Sequence, residues 1–339
     1  MATEPTSLPV QGPAMQLRDI VLDFRTRSGF GQDKVFRALD SVSLDIGPGE
    51  VIGLVGESGS GKTTLGKTML GVHRPTAGQI LYRGADLANL SARGWKPFRR
   101  DLQMVFQDPL SSFNPRFTLG SSLALPLALH DVVPKKQIPD EVASLLTRVG
   151  LTPEHARRYP HELSGGQLQR VAIARAISVK PRIIVADEAV SKLDVSVRAQ
   201  VLNLLKRMNR ETGVGLVFIT HDLGVARFLC DRIAVMYFGR IVEQGPTEAI
   251  FGDPRHPYTL SLLRARQHGR TPVASDADET ALTIPDPARA CHYAPRCARR
   301  TPQCIAERPV LAGGSHTFAC FNPLSTQAAA APAHAAMKA

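Results

Sequence analysis

The chain's chemistry centres on Gly56-Glu57-Ser58-Gly59-Ser60-Gly61-Lys62-Thr63-Thr64, which fits the spacing G-x-x-x-x-G-K-[ST] of a phosphate-binding P-loop. Glycines at 56, 59 and 61 strip away side chains, so backbone N–H groups can surround phosphate oxygens. Lys62 is placed to reach β- and γ-phosphates, and the Thr63 hydroxyl to hold Mg²⁺. The flanks supply the context that the motif needs. Val51-Ile52-Gly53-Leu54-Val55 is an apolar run of strand length, and Lys62 to Leu70 carries Leu65, Met69 and Leu70 at helical spacing. A helix start adds its partial positive charge. This stretch is built to bind a nucleoside triphosphate.

Other residues could complete such a site. Arg182-Ile183-Ile184-Val185-Ala186-Asp187-Glu188 is an apolar strand ending in two carboxylates. Asp187 would support Mg²⁺, and Glu188 would polarise an attacking water. Gln107 closes the apolar run Leu102 to Phe106, where it can reach both metal and water. His221 closes the run Leu216 to Thr220, within reach of a γ-phosphate and of Glu188. Leu163-Ser164-Gly165-Gly166-Gln167 precedes a helical pattern; Ser164 suits an N-cap, and the two glycines let backbone approach an anion.

The elements that must position these groups read as follows. Leu17 to Phe24 alternates apolar and polar residues, Val42 to Ile46 is a second strand, and a loop covers Arg25 to Lys34. A hairpin is expected within His73 to Gly84. From Gln107 to about Arg158 the pattern turns to helix and loop, with Val142, Leu145, Leu146 and Val149 at helical spacing. Val195 to Arg210 is an amphipathic helix, with Val197, Val201, Leu204, Leu205 and Met208 on one face. A helix from Leu223 to Cys230 and a hairpin around Gly239-Arg240 follow, then a short helix from His256 to about Arg264. Strands alternating with helices argue a mainly parallel sheet covered on both faces, with a small antiparallel layer near the N-terminus.

At 339 residues, 43% hydrophobic and 21% charged, the composition is that of a globular protein. No apolar run approaches the roughly 20 residues of a membrane-spanning helix. Met1 to Pro13 lacks a basic region and an apolar core, so a secretory signal is not expected and a cytoplasmic location is. The net charge of +11 invites a nucleic-acid or anionic-membrane reading, but the basic residues are scattered and no nucleic-acid motif accompanies them. The expected organisation is an unstructured start over 1–15, a nucleotide-binding domain over 16–254 with a helical part about 108–178, an extension over 255–325, and a mobile tail over 326–339.

Together these motifs resemble the ATP-binding-cassette family, over roughly Leu17 to Phe251. The resemblance implies a RecA-like P-loop NTPase core with an antiparallel β subdomain, a helical subdomain and ATP hydrolysis with Mg²⁺ held by Thr63, Gln107 and Asp187. Two cassettes pair head to tail in that family. Ser164, Gly165, Gly166 and Gln167 would then face the nucleotide held by the partner's P-loop, and Ser191-Lys192-Leu193-Asp194 matches the segment crossing between sites. Phe24 matches the aromatic that stacks on adenine, with Phe30 and Phe36 as alternatives. Ala189-Val190 and Lys192 depart from the frequent Pro-Thr and Ala, which bears on the partner-facing surface rather than on catalysis.

Within the family, Gln107 to Arg116, Asp194-Val195-Ser196-Val197, and His256 to Thr259 with a cysteine-rich tail are similar to cassettes of bacterial oligopeptide and dipeptide importers. That implies a chain on the cytoplasmic face of the inner membrane, a paralogous ATPase as partner in preference to a second copy, two membrane permeases and an extracytoplasmic binding protein. Nickel and glutathione are alternative cargoes. A soluble cassette acting on ribosomes or nucleic acid is the rival, although one P-loop and no sustained heptads speak against it. Cys230 reads as a buried small hydrophobe. Cys291-x5-Cys297-x6-Cys304-x15-Cys320 could hold a [4Fe–4S] cluster, zinc as runner-up, or nothing. The spacing lacks the C-x₂-C pairs of familiar zinc sites; similar tails in peptide importers are reported to carry the cluster.

Overall fold

The computed structural model describes residues 12–26, 34–267 and 289–325. Two compact units emerge: Met1–Ile52 with Lys62–Thr220, and Gly53–Gly61 with His221–Ala339. Phe30, residues 1–11, residues 268–288 of the expected extension, and the tail 326–339 lie outside the described residues.

In the first unit, β1 (Met15–Thr26) pairs antiparallel with β2 (Lys34–Ile46). The buried residues Met15, Leu17, Ile20 and Leu22 change phase midway along β1. The register shifts between Leu17 and Ile20, and Asp19 there adopts a φ of 48°. Its N–H donates to Ser43 Oγ at 2.9 Å, which fixes the bulge that turns Ile20 inward. Met15, placed by the sequence in an unstructured start, is instead fully buried and paired with Ile46 and Tyr82, because its side chain completes this apolar face. β2 is also much longer than the five residues expected.

Next come β3 (Val51–Val55) and α1 (Lys62–Met69), then β4 (Ala77–Tyr82) and β5 (Ala85–Asp86), which extend the antiparallel sheet in the order β2-β1-β4-β5. β6 (Leu102–Val105), two insert helices α2 (Leu119–Leu129) and α3 (Ile138–Arg148), and α4 (Gly165–Ser178) follow. β7 (Ile183–Asp187), α5 (Val195–Thr212) and β8 (Gly215–Thr220) complete the unit. β6, β7 and β8 are parallel neighbours. Every residue of β7 and β8 is buried, as expected of parallel strands covered on both faces. α1 lies close on them: a Cβ at Gly66 would sit 2.8 Å from Ile219 Cδ1 and 2.9 Å from Val185 Cγ1. α5 ends at Gly213 in the left-handed conformation, and Val201, Leu204, Leu205 and Met208 are buried as the periodicity requires.

The second unit contains α6 (Leu223–Leu229) and the hairpin β9 (Arg232–Tyr237) and β10 (Arg240–Pro246), joined by Phe238-Gly239 with φ of 42° and 77°. Cys230 caps α6 and is buried. α7 (Thr247–Gly252) and α8 (Pro257–Gln267) come next. The cysteine-bearing segment holds α9 (Pro302–Ala306), β11 (Ala312–Gly313) and β12 (Thr317–Phe318). β12 pairs with β10, so this segment extends the hairpin as further sheet, an element the sequence reading lacked. Fully buried Glu243 secures it, accepting from the N–H groups of Arg255 (2.7 Å) and His256 (2.9 Å) and from His316 Nε2 (2.7 Å).

Candidate nucleotide site

In the first unit, α1 starts at the C-terminal end of β3 in the chain and carries buried Lys62, then Thr63 and Thr64. Thr63 Oγ1 donates to Asp187 Oδ1 at 2.8 Å. Asp187 ends β7 almost fully buried, and desolvation raises its carboxyl above the usual range, opposed by the Thr63 hydrogen bond and reinforced by the Glu188 charge. A hydroxyl and a carboxylate facing each other, with little water, form an oxygen donor set suited to Mg²⁺. Gln107 Nε2 donates to Glu188 Oε2 at 2.8 Å, a contact that sequence reasoning did not anticipate.

Glu188 is held in a conformation that costs energy. Its φ is 44°, in the left-handed region. Three bonds fix it there: Glu188 N–H to the Ile219 carbonyl (3.0 Å), and the Ser191 N–H (3.1 Å) and hydroxyl (3.0 Å) to the Glu188 carbonyl. The backbone at Glu188 is thereby fixed, and its carboxylate accepts from Gln107.

At α4, Ser164 and Gln167 form a reciprocal capping box: Gln167 N–H to Ser164 Oγ at 3.3 Å, Ser164 N–H to Gln167 Oε1 at 3.1 Å. Ser164 and Gly165 are exposed, whereas Gly166 is buried. A Cβ on Gly166 would collide with Val197; one on Gly165 would meet only Leu193 Cδ2, at 4.0 Å. A cavity of about 360 Å³ is lined by residues including Gln107, Leu110, Gly165, Gln169 and Lys192. The loop after Gln107 is anchored by Arg175, which donates to the Ser112 carbonyl (2.6 Å) and hydroxyl (3.0 Å) and stacks 4.3 Å over Phe113. The sequence marked no role for Arg175. Phe24, partly exposed, packs edge-on against His73 at 5.4 Å and lies opposite Phe36 in register.

In the second unit, Gly56 opens the loop with no room for a Cβ, which would strike the Met236 carbonyl oxygen. Ser58 and Gly59 are exposed, and Ser60 accepts from Gly239 N–H at 2.9 Å. Glu57 contacts residues that sequence reasoning missed: its N–H donates to the Tyr258 hydroxyl at 2.9 Å, and its Oε2 pairs with Arg296 Nη1 at 3.0 Å. Separations of 201 and 239 residues leave no local signal for either. His221 is exposed and follows Thr220 directly in the chain.

All four C-terminal cysteines are free, and among the described residues no group of three or more His, Cys, Asp or Glu is arranged to hold a metal ion. Burial pushes the Cys291 and Cys297 thiols up, and that of Cys320 to about 11, the reverse of what thiolate ligands need. The four sulfurs are thus not gathered as a ligand group among the described residues.

Strand, glycine loop and helix, with a second strand delivering Asp-Glu to the helix start, define a nucleotide-binding P-loop cassette, and comparison with known proteins agrees. Residues 39–191 match the family described as ABC transporter, and residues 242–304 the one described as oligopeptide/dipeptide transporter, C-terminal region. The chain is 48% identical over 256 residues to the glutathione import ATP-binding protein GsiA of Escherichia coli (strain K12), covering 75% of this chain and 41% of that protein. GsiA of Salmonella paratyphi A is 48% identical over 255 residues with the same coverage, 75% and 41%. The chain thus spans about two-fifths of the length (41%) of the curated relatives it matches. The ATP-binding cassette MJ0796, solved as a dimer in a post-hydrolysis state with ADP and Pi, superposes with a TM-score of 0.62 at 30% identity, covering 69% of this chain and 98% of that one. CbiO1 of Clostridium perfringens, part of the transporter complex cbiONQ, gives 0.61 at 27% identity, covering 72% and 92%. The chain belongs to the ATP-binding-cassette transporter family.

No helix among the described residues is long and apolar enough to cross a membrane.

Proposed function

We propose that this chain is the ATP-hydrolysing subunit of a bacterial importer for small peptides, glutathione included, working at the cytoplasmic face of the membrane. The observation that carries this is the Gln107–Glu188 hydrogen bond of 2.8 Å. It ties the carboxylate that would activate water to the loop leading into the helical insert, so that chemistry and insert position are linked within one unit. Phosphates would lie against the exposed limb of the Gly56 to Gly61 loop, at Ser58 and Gly59, with Lys62, Thr63 and Thr64, and adenine against Phe24; the Glu57 N–H is taken by the Tyr258 hydroxyl. Thr63, Asp187 and Gln107 would hold Mg²⁺, which neutralises developing phosphate charge when bound. Glu188 takes a proton from water as its oxygen bonds to the γ-phosphorus and the bond to ADP breaks, leaving ADP and phosphate. His221 would orient Glu188 and the γ-phosphate. Ser164, Gly165, Gly166 and Gln167 would close on the nucleotide of a second cassette, with a paralogue favoured over a second copy.

The domain limits expected from sequence, 16–254 and 255–325, are part of the same proposal. The 48% identity to GsiA over most of this chain favours glutathione or short peptides over nickel. A [4Fe–4S] cluster on Cys291, Cys297, Cys304 and Cys320 rests on family resemblance alone, with zinc the second choice; anaerobic purification with iron and sulfide assays decides it. For the transport role, the chain should sediment with membranes and lose that association when the permeases are deleted. Sedimentation with ribosomes that ignores the permeases would reject transport in favour of a soluble ATPase.

A further inference from the structure

The cysteine-bearing segment and the nucleotide loop share a unit, and they meet at one residue. Glu57 is the first residue after the loop's opening glycine, and its backbone N–H is occupied by the Tyr258 hydroxyl at 2.9 Å. Its carboxylate is paired with Arg296 at 3.0 Å, both side chains mostly buried. Arg296 also donates to the Tyr237 hydroxyl. Tyr237, Tyr258 and Tyr293 pack against one another in tilted and edge-to-face pairs, with ring centroids 4.6 to 5.4 Å apart, so the groups gripping Glu57 stand on a packed aromatic base. Pro295 and the turn Ala294–Arg296 limit where the guanidinium can go. The bonds from Tyr258 and Arg296 go to Glu57, and the next two residues, Ser58 and Gly59, are exposed.

We propose that Tyr258 and Arg296 are positioning residues of the nucleotide site. They fix the first limb of the loop, and Arg296 cancels the Glu57 carboxylate that would otherwise repel a triphosphate. This rests on reading the loop as the ATP site. The electrostatic half makes a demand that a merely structural role does not: the worth of Arg296 must vanish when Glu57 loses its charge.

The experiment titrates MgATP into the purified full chain and measures hydrolysis in the assembled transporter. Wild type is measured first; no binding there would refute the ATP reading itself and take this proposal with it. Arg296→Gln should raise Kd about tenfold and KM in parallel, with kcat kept within about twofold. Placed in a Glu57→Gln background, the same change should cost less than about twofold. A tenfold loss in both backgrounds, or no loss in wild type, overturns the proposal. Arg296→Lys should recover affinity to within about threefold, and Tyr258→Phe, which removes one hydroxyl, should weaken binding about threefold. Should Arg296→Gln not fold, these two variants carry the test: tenfold weakening by the lysine, or unchanged binding in the phenylalanine variant, overturns it.

Discussion

Glu188 offers the sharpest test because its backbone and its carboxylate make separable contributions. Glu188→Gln keeps the φ of 44° and leaves an oxygen to accept from Gln107, so folding stability should stay within about 0.5 kcal/mol. Only the base is lost. General-base catalysis is worth about two to four decades, or roughly 2.7–5.4 kcal/mol of barrier. ATP affinity should hold within about threefold. The companion variants separate the strain. Ordinarily glycine is less stable than alanine by about 0.5–1 kcal/mol, but a left-handed residue costs about 1–2 kcal/mol unless it is glycine. Both changes forfeit the bond to Gln107, so that loss cancels in the comparison. Glu188→Gly should thus equal or exceed Glu188→Ala in stability, by up to about 1 kcal/mol, while both are inactive. Single-turnover hydrolysis in the assembled complex and urea unfolding of the chain read the two effects. Turnover of Glu188→Gln within tenfold of wild type would remove the carboxylate from the chemistry; alanine more stable than glycine would refute the strain argument.

Other perturbations follow from the same geometry. Ser164→Arg forfeits the capping box, about 1 kcal/mol, and should abolish hydrolysis while the isolated chain still binds ATP; parallel loss of both would argue against a two-cassette site. Thr63→Ala should weaken MgATP binding about tenfold but metal-free ATP less than threefold, since the hydroxyl beside Asp187 would serve the metal; equal losses with and without Mg²⁺ would refute that role. His256 is buried and accepts the Tyr258 N–H on Nδ1 at 3.1 Å, so protonation there is opposed, and burial lowers its pKa from 6.5 to about 4. Because the unfolded chain binds this proton more readily, the stability is whole above pH 6.5 and is lost as pH falls towards 4, on the order of 3 kcal/mol. His256→Gln should flatten the urea midpoint across that window; identical slopes in both proteins would reject the assignment.

The candidate site residues of the first unit stand out in the sequence because each sits where a period breaks. Asp187 and Glu188 end an uninterrupted apolar run, and Ser164 precedes the first residues of a 3.6-residue repeat with Gln167 at the box position. The covering of β7 and β8 was legible for the same reason. What escaped has a physical cause in each case. The β1 bulge hides in Arg18-Asp19, where one residue in the left-handed region resets alternation without a glycine to announce it. The strand β12 is two residues long and exists only because β10 offers an edge, so no local pattern could declare it. Glu243 reads as a surface charge until His316 and the N–H groups of Arg255 and His256 are seen to surround it. The cysteine spacing is equally open, since the same four positions serve ligands or buried thiols depending on solvation.

The two glycines heading α4 answer to different neighbours. Position 166 is kept small by this chain's own Val197, so enlarging it would wedge α5 away from α4. Position 165 has no such tenant: among the described residues outside its own helix, the nearest atom to its missing Cβ is Leu193 Cδ2 at 4.0 Å, and its backbone is one that any residue can adopt. A methyl there would disturb nothing the molecule makes by itself. Under the proposed two-cassette reading that smallness serves the second cassette, and a survey of side chains at 165 would trace its outline while the fold stays unchanged.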